Sequence, residues 1–297
     1  MEQATLMFGI GATKAGTSWL YRYLSMHPEC RMPAVKELHY FNSDTPEKVD
    51  MHALRIEGKA AQLTAAAQDE DAKKQVKMLM SAEEHREAAR VLRAPRDGHA
   101  AYRELILKSA EDEGAILGGD ITPAYALLSE DTLREMSQLA PKTRFIYIMR
   151  DPVDRMWSNV RMNAMRRLEE GQSLNEFANL ILERLVKSGH HPSLMQRSDY
   201  AGTLEKMDRA LPAEDCKVVF FERLFQEKTV RSICTFLGIK YQSADFKKKV
   251  HAGRATAMRG DLKIAARALL DDQYKAVEAR FGELPTRWQR DMAKVSA

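Results

Sequence analysis

Short apolar runs separated by stretches with helical spacing set the pattern of this chain. Leu6, Met7, Phe8 and Ile10 form the first run, Gly9, Gly11 and Gly16 punctuate it, and Trp19, Leu20, Tyr23 and Leu24 then recur at helical intervals. That succession predicts a strand, a glycine-bracketed turn and a helix stopped at His27-Pro28. Residues 30–33 read as a short extended segment leading into VKELHYFN, 35–42. From 43 to about 114 the chain is rich in Ala, Glu, Lys, Gln and Met, with helical spacing over 82–92 and 102–108, which predicts a helical insertion. Its 50–80 stretch is weakly amphipathic and fits a mobile lid as well as a packed helix, and the Asp69-Glu70-Asp71 run before Lys73-Lys74 reads as a solvated face.

The sheet pattern resumes over 115–120, followed by TPAY at 122–125 and a helix from near Ser129. Residues 144–149 alternate and then turn continuously apolar, as a central parallel strand buried on both faces does. They end in Arg150-Asp151-Pro152, with the proline suited to the first turn of a helix over 153–165. Helices over 174–187 and 200–210, a strand over 216–221, a helix over 229–237 stopped by Gly238, and a last helix over 263–279 complete the pattern. Strands alternating with helices predict an α/β fold: a three-layer, P-loop-like parallel sheet flanked by helices, with the insertion at about 43–114 of a single 1–297 domain.

Composition narrows the partners. The chain has 297 residues, 44% hydrophobic and 30% charged, enough for one sizeable core, and a formal charge of +4 that favours no nucleic-acid partner while permitting anionic ligands. No apolar run reaches transmembrane length, and the first strand begins within a few residues of Met1, so the expectation is a cytoplasmic protein without a signal peptide. Cys30, Cys216 and Cys234 are odd in number and lack metal-ligand spacing; they read as reduced structural thiols.

Candidate chemistry concentrates in a few places. The N–H groups of Gly16, Thr17 and Ser18 open a helix without intrahelical partners and face a favourable dipole, and Lys14 adds a cation, so the turn can hold an anion; an ordinary βα turn with a surface lysine is the alternative. Against the phosphate-loop pattern GxxxxGK[ST], Gly11, Gly16 and Ser18 fit, but Thr17 stands where the lysine belongs. Arg150 projects from the carboxyl end of a strand, where open α/β sheets bind ligands, or else pairs with Asp151 or Asp154; Ser158 follows two turns into the next helix. Glu37 and His39 lie two apart, on one face of an extended segment, and either could take a proton; alternatively Glu37 is solvated and His39 packs on Tyr40 or Phe41. Residues 247–263 set Lys247, Lys248, Lys249, His251, Arg254, Arg259 and Lys263 against one acid, Asp261. Gly253 and Gly260 let that run close over a phosphate, or it is a solvated basic loop.

In this order KAGTSWL, KELHYF, TPAY and FIYIMRDPVDRMWSNV resemble the sulfotransferase family that uses 3′-phosphoadenosine 5′-phosphosulfate, over nearly the whole chain. The likeness is closer to bacterial enzymes and to the sulfotransferase domains of heparan-sulfate modifying enzymes than to the small-molecule cytosolic branch, whose catalytic histidine has no match here. The resemblance implies that Lys14, Ala15, Gly16, Thr17, Ser18 and Trp19 belong to the loop holding the 5′-phosphosulfate. It implies that Arg150 and Ser158 grip the 3′-phosphate, that Gly253 and Arg254 form a later loop over the nucleotide, and that Lys14 and Glu37, with His39, are catalytic, Glu37 as the base. Ile121 departs from the lysine that glycan enzymes often carry before Thr-Pro, so any such help is absent or comes from Lys14 or Lys36. No metal is expected. The implied acceptor is a hydroxyl or amine of a small molecule, lipid or glycan, and Met162, Met165, Leu168, Leu180 and Leu194 either line an apolar groove for it or belong to the core. Two rivals stand beside this reading. A P-loop kinase-like phosphotransferase would need a lysine at position 17 and a magnesium carboxylate, for which Asp120 is the candidate; a non-catalytic nucleotide-binding module would need neither.

Overall fold

The computed structural model describes residues 3–189, 191–246 and 256–293. Five parallel strands, β1 (Thr5–Gly11), β2 (Cys30–Arg31), β3 (Leu117–Ile121), β4 (Thr143–Met149) and β5 (Cys216–Phe220), pair in the order β2-β3-β1-β4-β5. β1 and β3 are buried throughout, and β4 is buried at every position but Arg144, as expected of strands covered on both faces. The chain lays β1 down first, moves out to β2, returns through β3, and then crosses to β4. The direction of winding therefore reverses on either side of β1, and the carboxyl ends of β3, β1 and β4 share one edge at that switch point.

Phe8 of β1 lies at the centre of the packing, 5.3 Å from Phe145 of β4 and 5.8 Å from Phe41 between ring centroids. Gly118 of β3 has a packing reason: a Cβ there would sit 2.4 Å from the Ile106 carbonyl oxygen, so only glycine lets the end of the insertion press against the strand.

Most of the insertion is a packed hairpin of two helices, α2 (Pro46–Ala66) and α3 (Ala72–Arg93). Thr45 caps α2 ahead of a first-turn proline, and Asp71 of the acidic run caps α3 by accepting from the Lys73 and Lys74 N–H groups at 3.1 Å. The weak amphipathicity has a simple cause: Ala53 and Ala60 of α2 and Ala82, Ala88 and Ala89 of α3 are buried, so small side chains supply much of the inner face. Arg93 pairs with Glu57 across the hairpin.

The last predicted helix is in fact two, Gly260–Leu269 and Asp271–Phe281, broken at Leu270. The break turns Tyr274 inward, where its hydroxyl donates to Asp151 Oδ2 at 2.7 Å. Asp151 caps the helix Pro152–Arg167 through Oδ1, so the helix Asp271–Phe281 and the helix after β4 are tied at one buried carboxylate; one more helix, Thr286–Ala293, follows. The cysteines are free, Cys234 buried and the other two half-buried. Among the described residues no helix is long and apolar enough to cross a membrane.

Candidate active site

The turn after β1 is shaped by two left-handed residues, Lys14 (φ 71°) and Gly16 (φ 95°), before the helix α1 (Thr17–Ser25) begins. Gly16 is required twice over, by its φ and because a Cβ would lie 2.8 Å from the Phe221 ring. The turn is held from outside, with Ala12 N–H donating to Ile148 O at 2.7 Å and Ala15 N–H to Ala12 O at 3.1 Å. Among the described residues nothing accepts from the N–H groups of Gly16, Thr17 and Ser18. Ala15, Thr17 and Trp19 are buried and Ser18 is half-buried; Trp19 stacks on Tyr23 with centroids 5.7 Å apart and lies nearly parallel to Phe246 at 6.1 Å.

Cations converge on this turn. Arg150, leaving the end of β4, donates from Nη1 to Lys14 O at 3.2 Å and lies over the Phe221 ring at 4.8 Å. Tyr200 fixes its backbone, donating to Arg150 O at 2.7 Å and accepting from Arg150 N–H at 3.3 Å. Of the nearby acids, Asp151 caps its helix, Asp154 pairs with Arg287 at 2.5 Å, and Glu222, which faces Arg150, accepts from Asp151 N–H at 2.9 Å. Arg161 stands one turn beyond the buried Ser158 on the same helix, and the Nε atoms of both Arg150 and Arg161 are buried without a hydrogen-bond acceptor. Burial lowers the Lys14 ammonium from its usual value, the charges of Arg161, Arg150 and Arg166 lower it further, and Glu37 partly opposes them. An anion is the missing partner of such an arrangement.

The segment carrying Glu37 and His39 is not extended. Both residues are left-handed, each with φ 61°, so their side chains share a side because the backbone turns twice and not because it alternates. The turn rests on the end of β3: Glu37 N–H donates to Ile121 O at 3.2 Å, and His39 N–H to Thr122 Oγ1 at 3.4 Å. Lys36 Nζ pairs with Glu37 Oε1 at 2.6 Å, and His39 Nε2 stands 3.9 Å from Oε2. Burial would raise the Glu37 carboxyl, but Lys36, with His39 and Arg55, holds it below the usual range. Burial takes His39 down to about 4, with the His52 and Arg55 charges adding to the effect, so its imidazole is neutral near pH 7. His39 packs against His52 of α2, with ring centroids 4.3 Å apart, and not against Tyr40 or Phe41.

Asp120, the carboxylate a magnesium-dependent reading needs, is 2% exposed and accepts from Thr122, Tyr125 and Tyr102 hydroxyls at 2.8, 2.7 and 3.3 Å. Burial pushes its carboxyl up, and it faces the core. Among the described residues no group of His, Cys, Asp and Glu could hold a metal ion. Gly253 and Arg254 lie outside the described residues. Of the apolar residues weighed for an acceptor groove, Leu194 is core, Met165 and Leu180 are exposed, and Met162 and Leu168 are intermediate. Arg161 escaped the sequence reading, although its i+3 spacing from Ser158 was a usable signal. Arg55 and His52 carried no signal, because only tertiary packing brings α2 to residues 37–39.

The chain matches the model of a sulfotransferase family over residues 7–243. Among solved structures it is similar to a sulfotransferase from Alicyclobacillus acidocaldarius, with 24% identity and a TM-score of 0.60 over 95% of this chain and 98% of that one. A further neighbour is the sulfotransferase domain of the Synechococcus PCC 7002 olefin synthase, with 17% identity and a TM-score of 0.48 over 96% and 98%. Among curated proteins no relative matches the sequence.

Proposed function

The chain belongs to the sulfotransferase family, and from that premise we propose that it moves a sulfuryl group from 3′-phosphoadenosine 5′-phosphosulfate to a hydroxyl or amine of an acceptor. The observation that carries the reading is the cluster of Lys14, Arg150 and Arg161 about unsatisfied helix-start N–H groups, with two guanidinium Nε atoms buried and unpartnered. Those residues fit the donor: Lys14 and the amides of 16–18 suit the 5′-phosphosulfate, and Arg150 and Ser158 suit the 3′-phosphate. The donor brings a sulfuryl group already joined to a good leaving group.

Transfer of this kind asks the protein mainly for alignment and for charge where it develops. Lys14 and the loop amides stabilise the phosphate oxygen that departs from sulfur; preorganised donors of this type are each worth about 3–4 kcal/mol. Glu37 takes the acceptor's proton as its oxygen or nitrogen bonds to sulfur, a contribution of roughly 10²–10⁴ in rate. Glu37 is the better base than His39 because its side chain is 39% exposed and ionised, whereas His39 is 15% exposed and lies against His52.

Calorimetry with 3′-phosphoadenosine 5′-phosphate, competed with ATP and ADP plus magnesium, tests the donor assignment. Magnesium-independent preference for the 3′-phosphorylated nucleotide is expected, weakened roughly 10- to 100-fold by Lys14→Ala and by Arg150→Ala, the usual range for charged hydrogen bonds. Preference for ATP with magnesium, or indifference to Arg150, would return the chain to the kinase-like reading.

A further inference from the structure

Two consecutive odd-numbered residues, Glu37 and His39, hold a backbone conformation that side chains other than glycine resist, at a cost on the order of 1–2 kcal/mol each. Such a turn persists only where its surroundings over-determine it. Half of those surroundings come from the end of β3, through Ile121 O and Thr122 Oγ1. The other half come from the insertion. Arg55 of α2 donates from Nη2 to Glu37 O at 2.7 Å. One turn earlier His52 stacks on His39 with planes 12° apart, and its Nδ1 lies 2.7 Å from Ser43 Oγ, which itself donates to His39 O at 2.7 Å.

We propose that Arg55 is a positioning residue for Glu37: by gripping the carbonyl at the centre of the left-handed turn, the insertion sets where the Glu37 carboxylate points. This rests on the reading of Glu37 as the base. The groups facing that carboxylate are Lys36 and His39 from its own segment, Arg55 from α2 and Lys14 from the turn after β1; β3 contributes only uncharged Ile121 and Thr122. Arg55 is exposed, so replacing it leaves no cavity and no buried orphan. Of the facing cations, it is the one that also bonds the backbone of residue 37.

The test uses the full chain, with 3′-phosphoadenosine 5′-phosphate as the binding probe and breakdown of 3′-phosphoadenosine 5′-phosphosulfate to water as the rate probe. Carbon-13 titration of the Glu37 carboxyl, assigned through Glu37→Gln, gives a readout free of any acceptor. In Arg55→Met the turnover should fall about 10- to 100-fold, the cost typical of a misplaced catalytic group, with probe affinity and donor KM kept within about twofold. The Glu37 midpoint should rise, because a charge that favours the carboxylate is gone, and Arg55→Lys should restore most of both effects. A wild-type midpoint and rate in Arg55→Met, or a loss of probe affinity equal to the loss of rate, overturns the inference. Wild-type turnover in Glu37→Gln overturns the base assignment instead, and the Arg55→Met midpoint then still decides whether Arg55 holds the carboxylate.

Discussion

His39 is the residue whose environment has the plainest consequence in solution. Its folded pKa of about 4 lies below the ordinary 6.5, so between those limits the unfolded chain binds the extra proton and stability falls as pH is lowered through that window. The loss should approach about 3 kcal/mol by pH 4, since each unit of pKa is worth roughly 1.4 kcal/mol. His52 is also lowered by burial and acts in the same sense, whereas Glu37 titrates only below the ordinary carboxylate value. Urea unfolding at pH 7 and pH 5 measures it: His39→Asn should flatten the pH dependence, and an unchanged slope would assign it to other groups. At this scale Lys14 and Arg150 stood out in the sequence because each follows a strand end, while Glu37 stood out only by its spacing from His39 on a segment that is not extended. The ring packed on His39 was not legible, because His52 lies in the weakly amphipathic 50–80 stretch, whose pattern left even its helix open.

Among the elements, the turn from β1 into α1 carries the strictest requirement. Gly16→Ala should cost about 1–2 kcal/mol from its positive φ alone, read as a lower urea midpoint with unchanged slope. The added methyl also meets Phe221, the ring under Arg150, so 3′-phosphoadenosine 5′-phosphate affinity should fall beyond what the stability change explains. A variant with full affinity would show that Phe221 yields without moving Arg150. Strands and the helices starting near Ser129 and Asp151 read correctly because the strands are short apolar runs and those helices have capped starts, whereas the caps at Thr45 and Asp71 open helices that the weak amphipathicity of 50–80 left open. Two elements misled the pattern. Residues 35–42 look extended, but hydrogen bonds to Ile121 and Thr122 impose a doubled left-handed turn that no period encodes. The helix expected over 263–279 breaks at Leu270 with neither glycine nor proline to announce it.

Taken as a whole, the molecule carries a knot of like charge that Glu37, Asp154 and Glu222 compensate only in part. Arg161, Arg150 and Arg166 all act against the Lys14 charge, and Arg150 against Arg161, around the first turn, so an anionic ligand should stabilise the fold beyond its contacts. At a nucleotide concentration of one hundred times Kd the gain should be about 2.7 kcal/mol, seen as a raised Tm. Lys14→Ala should unfold at the same or a higher temperature without ligand, yet lose most of the ligand-induced rise; a lower Tm without ligand would show that the lysine also supports the fold. The parallel sheet was legible from the alternation of elements, but the strand order was not, since nothing local says that β3 returns beside β1 while β4 crosses over. That order has one more consequence. β1 and β4 lead into the cations proposed to grip the donor, while β3 and the hairpin carry the proposed base and its supports, and the hairpin enters the chain between an edge strand of two residues and β3. A change in the hairpin therefore leaves the ladder of β3, β1 and β4 in register while shifting Arg55 and His52, so it would retune the proposed base without touching the cations proposed to hold the donor.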